Sequence, residues 1–173
     1  MNCQIRKWTL EDAADLAAAL NNPRVQKNLR DGLPYPYTEN DAREYIDTMR
    51  RGDYEKALAF AVTADGRAVG SIGIFRQENI HFRTAEIGYY IAEPYWGQGL
   101  GTAAVGLACR AAFESTDLLR IFAEPFADNI ASCRVLEKNG FRCEGTLRSN
   151  AVKDGRVRDM KMYSLLRTDR IGG

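Results

Sequence analysis

Three glycines at alternate positions, Gly97, Gly99 and Gly101, stand between a run of alternating apolar residues and a long apolar stripe of helical period. That placement constrains the fold more than any other feature. A strand has to end, the chain has to turn where no Cβ atoms stand, and a helix has to begin. The first N–H groups of a helix have no internal partner, and they carry the positive end of its dipole. With glycine at that point a ligand can approach the bare backbone. The segment Ile91-Ala92-Glu93-Pro94-Tyr95-Trp96-Gly97-Gln98-Gly99-Leu100-Gly101-Thr102-Ala103 therefore predicts an anion site, with phosphate the most natural occupant. A tight turn alone would need fewer glycines.

The flanking pattern predicts what surrounds this turn. Residues 84–92 alternate, with Ala85, Ile87, Tyr89 and Ile91 on one face and Thr84, Glu86, Gly88 and Tyr90 on the other. After the glycines, Leu100, Ala103, Ala104, Leu107, Ala108 and Ala111 form a helical stripe of mostly small residues, suited to close packing on a sheet. Upstream, residues 3–8 read as a short strand. Thr9-Leu10-Glu11-Asp12 and Thr38-Glu39-Asn40-Asp41 read as capping boxes opening two helices, the second over 39–50. Asn22-Pro23 ends or bends the first, and the proline-stiffened loop Gly32-Leu33-Pro34-Tyr35-Pro36-Tyr37 joins them, either walling a pocket or capping the core. Strands over 57–63 and 68–75 meet at the Asp65-Gly66 turn. A strand over 119–126 leads to a helix capped by Asp128 or Asn129 and stopped at Asn139-Gly140. Strands over 141–150 and 157–166 join at Asp154-Gly155. The order βααβββαβαββ predicts one α/β (α+β) domain over residues 1–173. It has a mixed, mostly antiparallel sheet of about six to seven strands and about four helices.

Several classes drop out. Lys plus Arg number 24 against 23 Asp plus Glu, a balance unsuited to gripping nucleic acid by bulk charge. The basic residues of the last hairpin, such as Arg148 and Arg156, are diluted by Glu144, Asp154 and Asp159. Apolar runs such as residues 102–109 are far short of the roughly 20 residues of a membrane span. The first residues lack the apolar stretch of a secretion signal, which predicts a cytoplasmic protein. Four cysteines without C-x-x-C spacing and a single histidine, His81, predict no metal site. Cys109 reads as a small core residue, and no G-x-S-x-G elbow is present. A Walker A loop is excluded because no lysine follows a glycine here. A dinucleotide fingerprint matches at Gly99, Gly101 and Ala104, but about seven residues separate it from the strand end, and the chain is too short for two mononucleotide halves plus a substrate domain.

Trp96-Gly97-Gln98-Gly99-Leu100-Gly101 resembles the [QR]-x-x-G-x-[GA] signature of the GNAT N-acetyltransferase superfamily. Ala85-Glu86-Ile87-Gly88-Tyr89-Tyr90, Asn129-Ile130-Ala131-Ser132 and Leu136-Glu137-Lys138-Asn139-Gly140-Phe141 sit where that family has its fourth strand and last helix. Within it the chain is most similar to the ribosomal-protein-alanine acetyltransferase-like (RimJ/RimL-like) branch. The resemblance covers essentially the whole chain and implies the GNAT fold. It also implies an acetyl-CoA-dependent transferase without metal, passing the acetyl group directly to a primary amine.

The resemblance further implies a set of contacts. Acetyl-CoA lies where strand 84–92 splays from strand 119–126. Backbone groups near Tyr90, Ile91 and Ala92 pair with the pantetheine, and an N–H near Ile91 or Ala92 faces the developing oxyanion. The stretch Trp96, Gly97, Gln98, Gly99, Leu100, Gly101 and Thr102 holds the pyrophosphate. Asn129 bonds the pantetheine or is a plain helix cap, and Arg134 meets the 3′-phosphate or is merely solvated. Glu86 is the candidate base, against a solvent-facing carboxylate or ion pair. Ser132 is the candidate proton donor to sulfur, against local helix bonding. Trp96 departs from the signature's first Gln or Arg, Leu136 from a common tyrosine acid, and Ala151 from a glutamate found in some relatives.

The expected acceptor is a protein N-terminal α-amine or a small primary amine. Deprotonating an α-amine (pKa about 7.7–8.0) at neutral pH costs about 1 kcal/mol, against about 4–5 kcal/mol for a lysine amine at about 10.4. A site without a strong base suits the former. The rival expectation is a non-catalytic acyl-CoA-binding sensor that keeps the glycine loop and Asn129 and needs neither Glu86 nor Ser132. A monomer or homodimer is expected, with no nucleic-acid or membrane partner.

Overall fold

A computed structural model describes residues 1–52 and 56–170. The strands are β1 (Cys3–Arg6), β2 (Ala57–Ala64), β3 (Arg67–Arg76), β4 (Thr84–Ile91), β5 (Arg120–Ala123), β6 (Arg142–Lys153) and β7 (Arg156–Leu166). The helices are α1 (Ala13–Leu20), α2 (Pro23–Gln26), α3 (Glu39–Arg51), α4 (Leu100–Ser115) and α5 (Ile130–Lys138). One seven-stranded sheet runs in the order β1-β2-β3-β4-β5-β7-β6. All neighbours are antiparallel except β4 and β5.

Local chemistry sets the element boundaries. The Asp12 carboxylate accepts from the Thr9 N–H (2.9 Å) and hydroxyl (3.2 Å) and from both ends of the Arg6 guanidinium (2.8 Å each), anchoring the turn that leads into α1. The Thr38–Asp41 box opens α3 in both directions, with the Asp41 N–H on Thr38 Oγ1 (3.2 Å) and the Thr38 N–H on Asp41 Oδ2 (2.8 Å). α1 ends at Leu20 with Asn21 as its C-cap, and Asn22 starts a further one-turn helix: Pro23 follows it, and its Oδ1 accepts the Arg24 N–H at 2.8 Å. Asp65 (φ 50°) and Gly66 (φ 84°) make the left-handed pair that a two-residue hairpin requires.

The sheet is buried on both faces over β2 to β5, while β6 at its edge is largely exposed. On one, α4 and α5 cover Val62, Ile72, Ile74, Ala85, Ile87 and Ile121. On the other, α1 to α3 cover Trp8, Ala61 and Ala68 through Leu16, Leu20 and Ile46. Fully burying an aliphatic side chain of this size contributes roughly 1.5–3 kcal/mol. The contact stripe of α4 is Leu100, Ala104, Val105, Ala108, Cys109 and Ala112, whereas Ala103 is exposed and Ala111 only half-buried. The helix is apolar nearly all round, so periodicity did not mark the packed side; the bulkier Val105 and Cys109 turn inward. Tyr37 is buried and caps the second core, while Tyr35 in the same loop is exposed.

The feature that positions the site is the brief meeting of β4 with β5. They pair only at Thr84↔Arg120, Ala85↔Ile121 and Glu86↔Phe122. Beyond that, β4 stays with β3 as far as Gly70↔Ile91, while β5 follows β7 through Ala123↔Tyr163. The expected strand over 119–126 is thus shorter, Arg120–Ala123. Pro125 has no N–H to give, and Phe126 makes an isolated bridge with Met160. The result is a V-shaped gap whose apex is Glu86/Phe122 and whose open end faces the glycine turn.

Candidate functional site

The turn after β4 is built for an anion. Residues Glu93–Tyr95 form a single 3-10 turn, and Trp96 continues extended. Gly97 (φ 75°) and Gly99 (φ 77°) then adopt the left-handed conformation, with Gly99 as the N-cap of α4. A Cβ placed on either would meet nothing within 4 Å, so packing within the protein does not require glycine there. Backbone conformation and open space outside the turn do. The first helical bond runs from the Ala103 N–H to the Gly99 carbonyl (3.1 Å). The N–H groups of Leu100, Gly101 and Thr102 therefore have no helical acceptor, and no side chain caps them. Three donors at the positive end of a 16-residue helix point into open space.

The neighbours of this turn hold its shape. Trp96 donates its indole N–H to the Ile91 carbonyl (2.7 Å), tying the turn back to the end of β4. The Arg24 guanidinium lies over the Trp96 ring, 5.5 Å from its centroid, and pairs with Glu93, which also accepts from Asn22 Nδ2 (2.7 Å). Gln98 donates to the Pro94 carbonyl (3.2 Å). Asn139 donates to the carbonyls of both Thr102 (3.1 Å) and Val135 (2.9 Å), which locks α5 against the start of α4.

Along β4, strand geometry decides which backbone groups face the gap. The Ala92 N–H donates to Val69 on β3 at 2.8 Å. Peptide groups alternate in direction along a strand. Tyr90 and Ala92 therefore turn toward β3, and Tyr89 and Ile91 turn toward the gap. Of the expected trio Tyr90, Ile91 and Ala92, only Ile91 presents its backbone there. Its carbonyl is taken by Trp96 and its N–H is left, while Tyr89 joins it. The Tyr90 phenol is buried beside Ser71, Tyr45 and Tyr37, and that burial raises its pKa well above the ordinary range.

Two candidate proton-transfer groups flank the gap from opposite faces of the sheet. Ser132, in the first turn of α5, has its Oγ 2.7 Å from the Tyr89 hydroxyl, which also lies 3.2 Å from the Ser132 carbonyl oxygen. Burial pushes the Tyr89 phenol up to about 12, opposed by the bond to Ser132. Tyr89 is not among the residues the sequence singles out: alternation places it on a core face and gives no sign of a hydroxyl neighbour 43 residues away. Leu136 is fully buried and offers no donor. On the other face Glu86 stands at the apex, half-buried, with Oε1 3.1 Å from Arg30 Nη2. Burial raises its pKa; Arg30 opposes this and Glu124 adds to it.

The remaining candidates lie on α5. Asn129 caps the helix, its Oδ1 accepting the Ser132 N–H at 3.3 Å, and among the described residues its Nδ2 has no partner. Cap and ligand donor are thus compatible roles. Arg134 is exposed and, among the described residues, unpaired, one position before Val135, whose Cγ2 lies 3.6 Å from a Cβ built on Gly101. Cys109 and Cys133 are buried, and Ala151 sits in β6 opposite Arg158.

Comparison with known proteins agrees with this layout. A family model described as an acetyltransferase (GNAT) domain matches residues 3–142. The chain is 36% identical to the uncharacterized N-acetyltransferase YoaA of Bacillus subtilis (strain 168), covering 94% of this chain and 92% of that one. It is 28% identical to the ribosomal-protein-serine acetyltransferase of Escherichia coli (strain K12), over 79% of this chain and 78% of that one. Among solved structures, Mycobacterium smegmatis RimJ in complex with CoA-disulfide superimposes with a TM-score of 0.84 at 25% identity, covering 96% of this chain and 83% of that one.

Proposed function

The chain belongs to the GNAT acetyltransferase family, and on that premise we propose that it transfers the acetyl group of acetyl-CoA directly to a primary amine, a protein N-terminal α-amine or a small amine. The observation that carries the proposal is the conjunction of three free N–H donors at the start of α4 with a gap in the sheet leading away from them. A diphosphate fits the first and a narrow, amide-bearing arm fits the second. Leu100, Gly101 and Thr102 hold the diphosphate through charge-assisted hydrogen bonds worth about 1.5–3 kcal/mol each. The Ile91 N–H offers the arm a strand-edge donor, and Asn129 Nδ2 offers it a further one. The relatives' names and the CoA-disulfide in the RimJ complex agree with this choice.

The two faces of the sheet then divide the chemistry. Glu86, on the side of α1 to α3, takes a proton from the acceptor's ammonium, directly or through water. The freed lone pair attacks the thioester carbon from that side. The Tyr89 N–H, the gap-facing donor nearer Glu86 and Ser132, faces the oxygen on which negative charge grows. Ser132, on the side of α5, gives its proton to the departing sulfur and regains one, through water, from the second proton that the acylated nitrogen sheds, and Tyr89 orients the Ser132 hydroxyl. A single half-buried carboxylate is a modest base, which favours an α-amine near neutral pH over a lysine amine.

Free-thiol release from acetyl-CoA, measured against peptides with free N-termini, polyamines and aminoglycosides, tests the proposal. Amine-dependent release, fastest with an α-amine at neutral pH, is expected. Tight acetyl-CoA binding with no release above the amine-free background across the panel would make the protein an acyl-CoA sensor instead.

A further inference from the structure

Arg30 occupies a position that neither the glycine signature nor the CoA-binding geometry explains. It lies in the segment between α2 and α3, and its Nη2 reaches both arms of the gap: Glu86 Oε1 on β4 at 3.1 Å and the Glu124 carbonyl beyond β5 at 3.4 Å. The segment is pinned on either side of it. Arg158 donates to the Lys27 carbonyl (2.9 Å) and to Asn28 Oδ1 (3.0 Å), Lys153 pairs with Asp31 (2.8 Å), and Leu29 packs on the second core. The guanidinium is thus delivered from an anchored stretch of chain to the apex of the V, on the face from which the acceptor arrives.

We propose that Arg30 is a positioning residue for the acetyl transfer: it bridges the two arms at the acceptor side of the gap and holds Glu86 as the oriented carboxylate that receives the amine's proton. The inference rests on the reading of Glu86 as base. A base must be unprotonated in the resting enzyme, and the surroundings of Glu86 pull it in both directions. Among the described residues the charged groups acting on it are Arg30, from the segment after α2, and Glu124, from the end of β5. Burial and Glu124 both favour the protonated acid, and Arg30 alone opposes them. One side chain thereby fixes both the direction and the charge of the carboxylate.

Arg30→Gln, with Arg30→Lys as a second variant, tests this in two ways. The carboxyl 13C resonance of Glu86, assigned by its loss in Glu86→Gln, is titrated with pH in each protein without any acceptor. A higher midpoint in Arg30→Gln is expected, because the one charge and hydrogen bond that favour the carboxylate are gone. Arg30→Lys, which keeps the charge but not the fork, should fall between the two. In parallel, kcat/KM for an α-amine peptide is followed from pH 6 to 9. The loss in Arg30→Gln should be greatest at low pH and shrink as pH rises, whereas a merely structural loss is constant across pH. Coincident titration midpoints, or a rate ratio flat with pH, overturn the proposal. A wild-type protein that releases no thiol with any amine sinks the acetyl-transfer reading and this inference with it. That outcome is distinct from unchanged midpoints in an active enzyme.

Discussion

Gly99→Ala separates what the glycine turn does for the fold from what it does for the ligand. Gly99 has φ 77° and a Cβ there would touch nothing within 4 Å, so the free protein meets only the backbone cost of a left-handed alanine. That cost is about 1 kcal/mol, which lowers Tm by roughly 2–4 °C for a chain of this size. The bound state meets more. The new methyl stands beside the N–H groups of residues 100–102, where a diphosphate has to approach within hydrogen-bond distance. Losing one charge-assisted bond of about 1.5–3 kcal/mol weakens binding by about 10- to 150-fold. Gly155→Ala is the control, because Gly155 (φ 72°) sits in the β6–β7 turn with equally open space. Both variants should lose similar stability in thermal unfolding. Calorimetric titration with acetyl-CoA should find wild-type affinity in Gly155→Ala and the large loss only in Gly99→Ala. If Gly99→Ala binds within twofold of wild type, the reasoning fails.

Two further substitutions probe other parts of the account. Ser132→Ala should lower kcat by about 100-fold or more while leaving acetyl-CoA affinity nearly unchanged, as expected of a group that acts only as sulfur departs; an equal turnover number in steady-state assays would remove Ser132 from the chemistry. Asp12→Ala should lower stability by about 2–3 kcal/mol, less than a fully buried pair because Arg6 is partly exposed, with Tm falling by roughly 4–12 °C. Burial raises the Asp12 pKa, but the bonds from Arg6 and Thr9 outweigh it and the net shift is downward. Its contribution is therefore present above the ordinary carboxylate pKa and is lost as pH falls through the lower folded value. The wild-type minus Asp12→Ala difference should shrink on acidification, and a difference that grew would contradict the assignment.

Local signals in the sequence carried far into the fold. Capping residues at Thr38 and Asn129, left-handed turns at Asp65-Gly66 and Asp154-Gly155, and the stop at Asn139-Gly140 each act within four or five residues, and each boundary they imply is present. The one-turn α2 leaves no periodic stripe in the sequence, although Asn22-Pro23 carries its cap and first position. The end of β5 falls earlier than its apolar pattern, which runs to Phe126, because pairing with β7 and the missing N–H of Pro125 end the strand at Ala123. In the site, the glycine turn was legible because its chemistry is contiguous. The partners of Glu86 and Ser132 were not. Arg30 lies 56 residues from Glu86, and Tyr89 lies 43 from Ser132. Which peptide groups of β4 face the gap depends on registry with β3, which alternation alone does not specify.

The central claim is that the unpaired N–H groups opening α4 hold the diphosphate of coenzyme A. Amide resonances followed by NMR during titration with coenzyme A test it most directly. The account predicts that the largest shifts fall on Leu100, Gly101 and Thr102, with smaller ones on Tyr89 and Ile91 along the gap. Saturable binding that leaves those three amides unmoved would contradict it.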